Sequence, residues 1–298
     1  MLGTLTHLDQ LEAESISIIR EAVGELNKVG LLFSGGKDSA VLLHLTYKAL
    51  WPANLYIPVI HVDTGHNFPE VIEFRDKTVK KYNANLIVAS VEDAITKGKV
   101  KDQKGVSRNK IQAPVLVELI ESEGFDALLG GARRDEEKAR AKERVFSFRD
   151  AFSSWDPRNQ RPEPWDIYNT LHHDGEHFRI FPLSNWTELD IYQYIKQEQI
   201  ELPSIYFAHE RDVYLDNDLL MPVNDWITKP DVTILRKTVR FRTVGDMTCT
   251  AAIESTAKNI DEVIAEVASS TVSERGATRA DDKTSKWSME ERKKLGYF

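Results

Sequence analysis

Short apolar runs alternate with amphipathic stretches over the first 130 residues. Residues 8–27 have apolar side chains at helical spacing and predict a leading helix. Strands are predicted where the apolar runs are short, at 30–34, 54–65, 85–90 and 125–131. Helices are predicted at 38–50, 69–83 and 113–124, the first of them capped by Asp38 or Ser39. Strands alternating with helices predict an α/β fold: an open, mostly parallel twisted sheet with helices on both faces.

The pattern becomes irregular after about residue 150. A stretch rich in proline and tryptophan predicts an insertion at about 150–176, followed by a fifth strand at 177–183. The next helix has Thr187 and Asp190 at the spacing of a capping pair. These features predict an α/β domain over 1–240 and, over 241–298, an irregular C-terminal extension: a helix at 256–268 and a charged tail. The tail either frays or docks through its aromatic end, and docking is favoured.

The amino-acid composition narrows the kinds of partner, metal site and location that the protein can have. There are 39 Lys and Arg residues against 47 Asp and Glu residues, and the net charge of −8 argues against a broad nucleic-acid surface. There is no apolar run of bilayer length and no secretory signal pattern, so no membrane association is expected. The single cysteine, Cys249, excludes an internal disulfide and a multi-cysteine metal site. Together these features favour the cytoplasm.

A glycine-rich stretch, "SGGKDS" at 34–39, follows the first predicted strand but differs from the common P-loop, whose lysine comes directly after the second glycine. Adjacent glycines let an anion approach the backbone, and the following helix points its free N–H groups at that anion. Asp38 would repel phosphate, so we expect it to face away, capping the helix or bridging to magnesium through water. The predicted phosphate-binding residues are Ser34, Gly35, Gly36, Lys37, Asp38 and Ser39.

Two further polar loops follow the second and fourth strands, "HVDTGH" at 61–66 and "GGARRDEE" at 130–137. Ligands of open parallel sheets bind beyond the carboxyl ends of the strands, so the three loops should meet there. In the later loop, Gly130 and Gly131 allow close approach, and the guanidinium groups of Arg133 and Arg134 suit a tetrahedral oxyanion. Alternatively, either arginine pairs with an acidic neighbour, Asp135 or Glu137.

The stretch "SGGKDS" resembles the loop of the ATP-pyrophosphatase group, which has an adenine nucleotide alpha-hydrolase-like fold and cleaves ATP between its α- and β-phosphates. Other stretches resemble the small catalytic subunits of bacterial heterodimeric sulfate adenylyltransferases over nearly the whole chain. They include "IPVIHVDTGHNFPE", "FPLSNWTELDIYQYI", "LPSIYFAH" and "SERGATRADDKTSKWSMEERKKLGYF". One departure is "VGDMTCTAAIES", where the family often has Gly-Cys-Tyr-Pro.

The resemblance implies that ATP, with Mg²⁺, reacts with sulfate to give adenosine 5′-phosphosulfate and pyrophosphate. It also implies a larger GTPase partner subunit that binds GTP. The loop would hold the departing pyrophosphate, with Lys37, Arg133 and Arg134 as catalytic residues. Nucleotide contacts, to ribose or adenine, are implied at Asp63, Thr64 and Gly65. Sulfate is already a dianion and needs no general base, so catalysis should consist of positioning and charge neutralisation.

Three other functions use a similar loop. A phosphoadenylyl-sulfate reductase-like oxidoreductase needs a nucleophilic thiol, typically near the C-terminus, and Cys249 has no adjacent basic residue to lower its pKa. A tRNA-modifying adenylylase usually has Cys-x-x-Cys pairs or a basic module, and neither is present. The third alternative is an adenine-nucleotide-binding module without turnover.

Overall fold

A six-stranded sheet forms the centre of the protein. The computed structural model describes residues 5–102, 108–226, 232–270 and Glu274. The strand order is β3-β2-β1-β4-β6-β5, with every neighbouring pair parallel except β6 and β5, which are antiparallel. The strands are β1 (Val29–Leu32), β2 (Val59–Asp63), β3 (Leu86–Ser90), β4 (Ala127–Leu129), β5 (Phe146–Arg149) and β6 (His177–Ile180).

Helices cover both faces of this sheet. Successive residues of a strand point to opposite faces, so Leu31 of β1 packs in the larger core and Leu32 packs in the smaller one. Five helices contribute to the larger core: α1 (His7–Glu25), α2 (Lys37–Leu50), α3 (Pro69–Lys81), α7 (Glu188–Gln197) and α8 (Ile260–Ser269). The other face is covered by α4 (Val91–Thr96) and α5 (Gln112–Glu123), and a short helix, α6 (Lys138–Ala141), follows β4. The predicted fold class is confirmed.

A second, antiparallel sheet of four strands was not predicted from the sequence. Its order is β10-β9-β7-β8, from β7 (His209–Asp216), β8 (Leu219–Pro222), β9 (Leu235–Arg240) and β10 (Ile253–Glu254). Phe241, the residue after β9, packs edge-on against Phe68 of the loop after β2, so this sheet lies beside that loop. β9 and β10 pair across residue 240, where the sequence predicts a domain boundary, and that boundary stays a prediction.

Several local predictions can be compared with the structure. Thr187 and Asp190 form the predicted capping box at the start of α7. The last predicted helix begins at Ile260, a few residues later than expected. Docking of the tail concerns residues 275–298, which lie outside the described residues. In the described part of the chain, no helix is both long and apolar enough to cross a membrane.

β5 was missed because half of its residues are polar. Its pairing with β6 sets Ser147 beside Arg179 and Arg149 beside His177, and all four side chains are buried. Glu143 accepts hydrogen bonds from Ser147 Oγ at 2.9 Å and from Arg149 Nη2 at 2.7 Å. A buried strand whose polar side chains share one glutamate as a partner does not have an apolar sequence pattern.

The pH dependence of stability follows from His177. Its burial, together with the charges of Arg179 and Arg149, lowers the imidazole pKa from 6.5 to about 2. The unfolded chain therefore binds a proton below pH 6.5 that the folded chain does not, so this group destabilises the fold as the pH falls from 6.5 towards 2. Each pH unit in that window costs about 1.4 kcal/mol.

Between pH 6.5 and pH 5, we therefore expect the unfolding free energy of His177→Gln to fall by about 2 kcal/mol less than that of the wild type. Urea unfolding at several pH values measures this slope. The exposed His173, changed to Gln, is the control and should leave the slope unchanged. Equal slopes for wild type and His177→Gln would contradict the assignment.

Candidate functional site

The loop between β1 and α2 has a conformation that needs glycine. Gly35 has a φ of +78°, and a Cβ there would lie 2.6 Å from Val71 Cγ1. α2 begins at Lys37 with Gly36 as its N-cap, so the prediction of Asp38 or Ser39 as the cap is wrong. Because glycine has no side chain, the N-terminal end of α2 is left without a side-chain cap and can receive an anion.

The two serines brace this loop rather than cap the helix. Ser34 Oγ accepts a hydrogen bond from the backbone N–H of Gly36 at 3.3 Å and lies 3.3 Å from Ser39 Oγ. Ser39 Oγ donates to the carbonyl of Gly36 at 2.9 Å. From across the site, Tyr206 Oη accepts from the backbone N–H of Lys37 at 2.9 Å. The loop is therefore held in one conformation before any ligand binds.

Four charged side chains at the start of α2 form a closed ring, here called the charge ring: Lys37, Asp38, Arg133 and Glu274. Asp38 contacts both cations, with 3.0 Å from Lys37 Nζ to Oδ2 and 2.7 Å from Arg133 Nε to Oδ1. Glu274 also contacts both, through Lys37 Nζ and at 2.5 Å through Arg133 Nη2. The side chains of Lys37 and Arg133 have no exposed surface, and that of Glu274 is 6% exposed. Each cation thus contacts both carboxylates, and Arg133 also pairs with its neighbours Asp135 at 3.3 Å and Glu136 at 3.8 Å.

The charge ring separates the pKa values of its two acids. Burial alone would lower the pKa of Lys37, but Asp38 and Glu274 raise it well above its ordinary value, so the amine stays charged. Burial opposes ionisation of Asp38, yet Lys37 and Arg133 lower its pKa to about 2. For Glu274 burial prevails over the same two cations and raises the pKa to about 7. Glu274 is therefore the less strongly held negative charge.

The loop after β4 brings Arg133 into the charge ring. A Cβ on Gly131 would lie 3.2 Å from the carbonyl carbon of Asp38, so the glycine lets this loop pack directly on α2. A Cβ on Gly130 would lie 2.9 Å from the Phe181 ring, which is a packing constraint. Arg134, the second predicted arginine, lies elsewhere: its guanidinium donates to Asn185 Oδ1.

The loop after β2 is stabilised by its own hydrogen bonds. Asp63 Oδ1 accepts from the backbone N–H of Gly65 at 2.8 Å, and Thr64 Oγ1 donates to Asn67 Oδ1 at 2.8 Å. Arg108 Nη1 donates to the carbonyl of Thr64 at 2.8 Å, where a Cβ on Gly65 would collide with it. The three residues implied by the resemblance therefore shape the turn.

A cavity lies above these three loops. Its apolar side includes Leu32, Phe33 and Ile60, at the ends of β1 and β2. Its polar side includes the charge-ring carboxylates together with Ser34, Gly36, Ser39, Asn67 and Gly131. The apolar side suits an aromatic base. The charged end is lined by four acids, Asp38, Glu136, Asp246 and Glu274, and by one cation, Arg140, while Lys37 and Arg133 lie buried behind the carboxylates.

Sequence reasoning missed several lining residues. Tyr206 and Glu274 come from segments that the resemblance covered without assigning them a role, 169 and 237 residues from Lys37. Arg140 also lines the cavity and pairs with Glu136 at 2.5 Å. No local pattern marks these residues, because only the fold brings them to the loop.

The structure bears on two other kinds of chemistry, one that uses a thiol and one that uses a metal ion held by the protein. Cys249 is buried, and its Sγ accepts a hydrogen bond from Asn109 Nδ2 at 2.9 Å, so the thiol is shielded from solvent. Among the described residues there is no group of three or more His, Cys, Asp or Glu side chains that could hold a metal ion. Both oxygens of Asp38 are bonded to cations, so this carboxylate does not offer a ready magnesium ligand.

We expect Gly35→Ala to weaken ATP binding about tenfold or more, because the new methyl group overpacks Val71 and distorts the loop. Gly98→Ala is the matched control, since Gly98 has a φ of +72° but an added Cβ there meets nothing within 4 Å. Both variants have the same backbone strain, of about 1 kcal/mol. Calorimetric titration with ATP measures the difference, and equal affinities would contradict the assigned role of the loop.

Comparison with known proteins identifies the family. Residues 28–252 match the phosphoadenosine phosphosulfate reductase domain. The chain is 58% identical over 295 residues to sulfate adenylyltransferase subunit 2 of Mycolicibacterium gilvum (strain PYR-GCK). It is 57% identical over 295 residues to the protein of that name from Mycobacterium tuberculosis (strain ATCC 25618 / H37Rv). Each alignment covers 99% of this chain and 95% of the relative.

Among solved structures, the FMN adenylyltransferase of Candida glabrata in complex with ATP aligns with a TM-score of 0.49 and 14% identity. That alignment covers 79% of this chain and 81% of the other. A likeness at this level says nothing about the site. By the identity and coverage of the two sulfate adenylyltransferase relatives, the chain belongs to the sulfate adenylyltransferase subunit 2 family, within the phosphoadenosine phosphosulfate reductase domain family.

Proposed function

We propose that this chain catalyses the sulfate adenylyltransferase reaction, in which sulfate attacks the α-phosphorus of ATP and pyrophosphate leaves. The observation that best supports this function is the charge ring at the open N-terminal end of α2. Two fully buried cations, Lys37 and Arg133, converge there beside a loop whose glycines admit an anion. Such a site stabilises the charge that develops on a departing pyrophosphate.

We place the nucleotide in the cavity in one orientation. Adenine would lie on the apolar side formed by Leu32, Phe33 and Ile60, and the triphosphate would extend to the start of α2. His61 is buried beside this surface and its Nδ1 is bonded to the carbonyl of Phe33 at 2.8 Å. Burial lowers its imidazole pKa, so the ring is neutral and shapes the cavity without adding charge.

Sulfate would approach from the side of the later loop. Arg133 connects this side to the phosphates, and Arg140 lines the same cavity. Since sulfate and ATP are both anions, their approach requires fixed positive charge more than it requires a base. Mg²⁺ would enter as part of the ATP complex, because Asp38 is already bonded to both Lys37 and Arg133.

We expect Arg133→Ala to lower kcat for pyrophosphate release by about 10²–10³-fold, as loss of one charge-stabilising donor does in other enzymes. The assay follows pyrophosphate from ATP with and without sulfate. Arg158→Ala is the control, since that side chain is 94% exposed and far from the charge ring in sequence and contacts.

Arg134→Ala tests the second arginine predicted from the sequence. Because its guanidinium is bonded to Asn185, we expect a loss of at most a few-fold. A loss equal to that of Arg133→Ala would show that Arg134 turns into the site during the reaction. Pyrophosphate release that is independent of sulfate, or absent from the wild type, would overturn the proposed function.

The partner is proposed to be a larger GTPase subunit. The relatives are named as one subunit of an enzyme, which supports an assembly with a second chain. The chemistry supports an energy source, because adenosine 5′-phosphosulfate joins phosphate to the anion of a strong acid and its formation lies uphill. ATP and GTP are both cytoplasmic nucleotides, so we place the assembly in the cytoplasm.

We expect the isolated chain to accumulate only traces of adenosine 5′-phosphosulfate, and the chain with its partner and GTP to accumulate much more. Chromatographic quantification of the product at fixed ATP and sulfate measures this. A non-hydrolysable GTP analogue is the control and should abolish the gain. Equal yields with and without the partner and GTP would contradict the coupling.

A further inference from the structure

Glu274 lies where a substrate oxyanion would be expected. Its Oε1 contacts Lys37 Nζ and its Oε2 contacts Arg133 Nη2 at 2.5 Å, so the two oxygens span the two cations. A phosphate or sulfate group presents pairs of oxygens with similar spacing to the same donors. The carboxylate is also part of the cavity lining, at the end that the proposed function assigns to the phosphates.

The carboxylate and a bound triphosphate are electrostatically incompatible in this place. Two negative charges in contact within a buried site repel each other strongly, because the local dielectric constant is low. Lys37 and Arg133 supply two positive charges, Asp38 and Glu274 already balance them, and Asp135 and Glu136 add negative charge beside Arg133. A polyanion that joins the charge ring therefore needs one carboxylate to leave.

Asp38 is not the carboxylate that leaves. It is the residue next to Lys37 in the first turn of α2, and the two cations hold its pKa at about 2. Glu274 comes from a segment 237 residues further along the chain. Its pKa is raised to about 7 by burial, so it is the less stable anion of the two.

We propose that Glu274 is an internal anion that occupies the oxyanion position of the nucleotide-free protein and is displaced when pyrophosphate or the ATP triphosphate binds. It keeps the two cations desolvated and oriented between turnovers, since buried cations without a counter-ion would be unstable. Its displacement reduces the apparent affinity, because the ligand binds only the fraction of molecules in which Glu274 has left. Only an oxyanion with several charges competes well with it.

This inference rests on the proposed function. Binding of inorganic pyrophosphate to the full chain tests the inference and the proposed function separately. Calorimetric titration compares wild type with Glu274→Gln, which removes the charge but keeps the size of the side chain. We expect the variant to bind pyrophosphate about tenfold more tightly. Glu121→Gln, on the exposed face of α5, makes the same change in net charge and should bind like the wild type.

The outcomes are distinguishable. Pyrophosphate binding by Glu274→Gln that equals or is weaker than wild type would overturn the inference. If Lys37→Met binds pyrophosphate as tightly as wild type, the proposed site itself is wrong, whatever Glu274 does. Thermal unfolding checks that Glu274→Gln folds: pyrophosphate should raise the Tm of Glu274→Gln by more than it raises the Tm of the wild type.

A crystal structure with pyrophosphate tests the displacement directly. We expect the phosphate oxygens within hydrogen-bond distance of Lys37 Nζ and Arg133, with the Glu274 carboxylate more than about 4 Å from both, beyond ion-pair distance. A structure with pyrophosphate bound and Glu274 still in contact with both cations would overturn the inference.

Discussion

The charge ring is the interaction on which the site depends. Two cations without exposed surface can be buried only when their charges are balanced, because removing an ion from water costs several kcal/mol that must be offset by close partners. Asp38 and Glu274 provide that balance by contacting both Lys37 and Arg133. The result is a pair of donors held at fixed positions in a low-dielectric environment before substrate arrives, as electrostatic catalysis requires.

The positions of these charged side chains depend on glycines in the loops and on the adjacent ends of two strands. β1 and β4 are adjacent in the sheet, so the loops that follow them meet above the same edge. Gly131 lets the later loop pack on the first turn of α2, and Gly36 leaves that turn without a side-chain cap of its own. Tyr206 reaches the same turn from the segment that leads into the second sheet. The geometry of the charge ring is thus a consequence of backbone packing.

The other buried arginines stabilise the fold. Arg240 is bonded to Glu266 at 2.6 Å and Arg242 to Glu188 at 2.6 Å, which connects the end of β9 and the residues just beyond it to α8 and α7. Their carboxylate partners indicate a structural role, because a paired guanidinium has little positive charge left for a ligand. Arg133 differs in that Glu274, one of its partners, is weakly held as an anion.

The sequence alone determined the order of strands and helices, the parallel sheet and the position of the phosphate loop, because these depend on local hydrophobic period and on adjacent glycines. It also indicated Lys37 and Arg133, which follow β1 and β4 within a few residues. It could not indicate β5, whose buried polar residues share Glu143 as a partner, nor the second sheet, in which β9 pairs with β7 across the intervening β8. The direction of Arg134 and the positions of Tyr206 and Glu274 were decided by tertiary structure. A contact between residues 169 or 237 positions apart leaves no periodic trace in a sequence, since it exists only once the chain has folded.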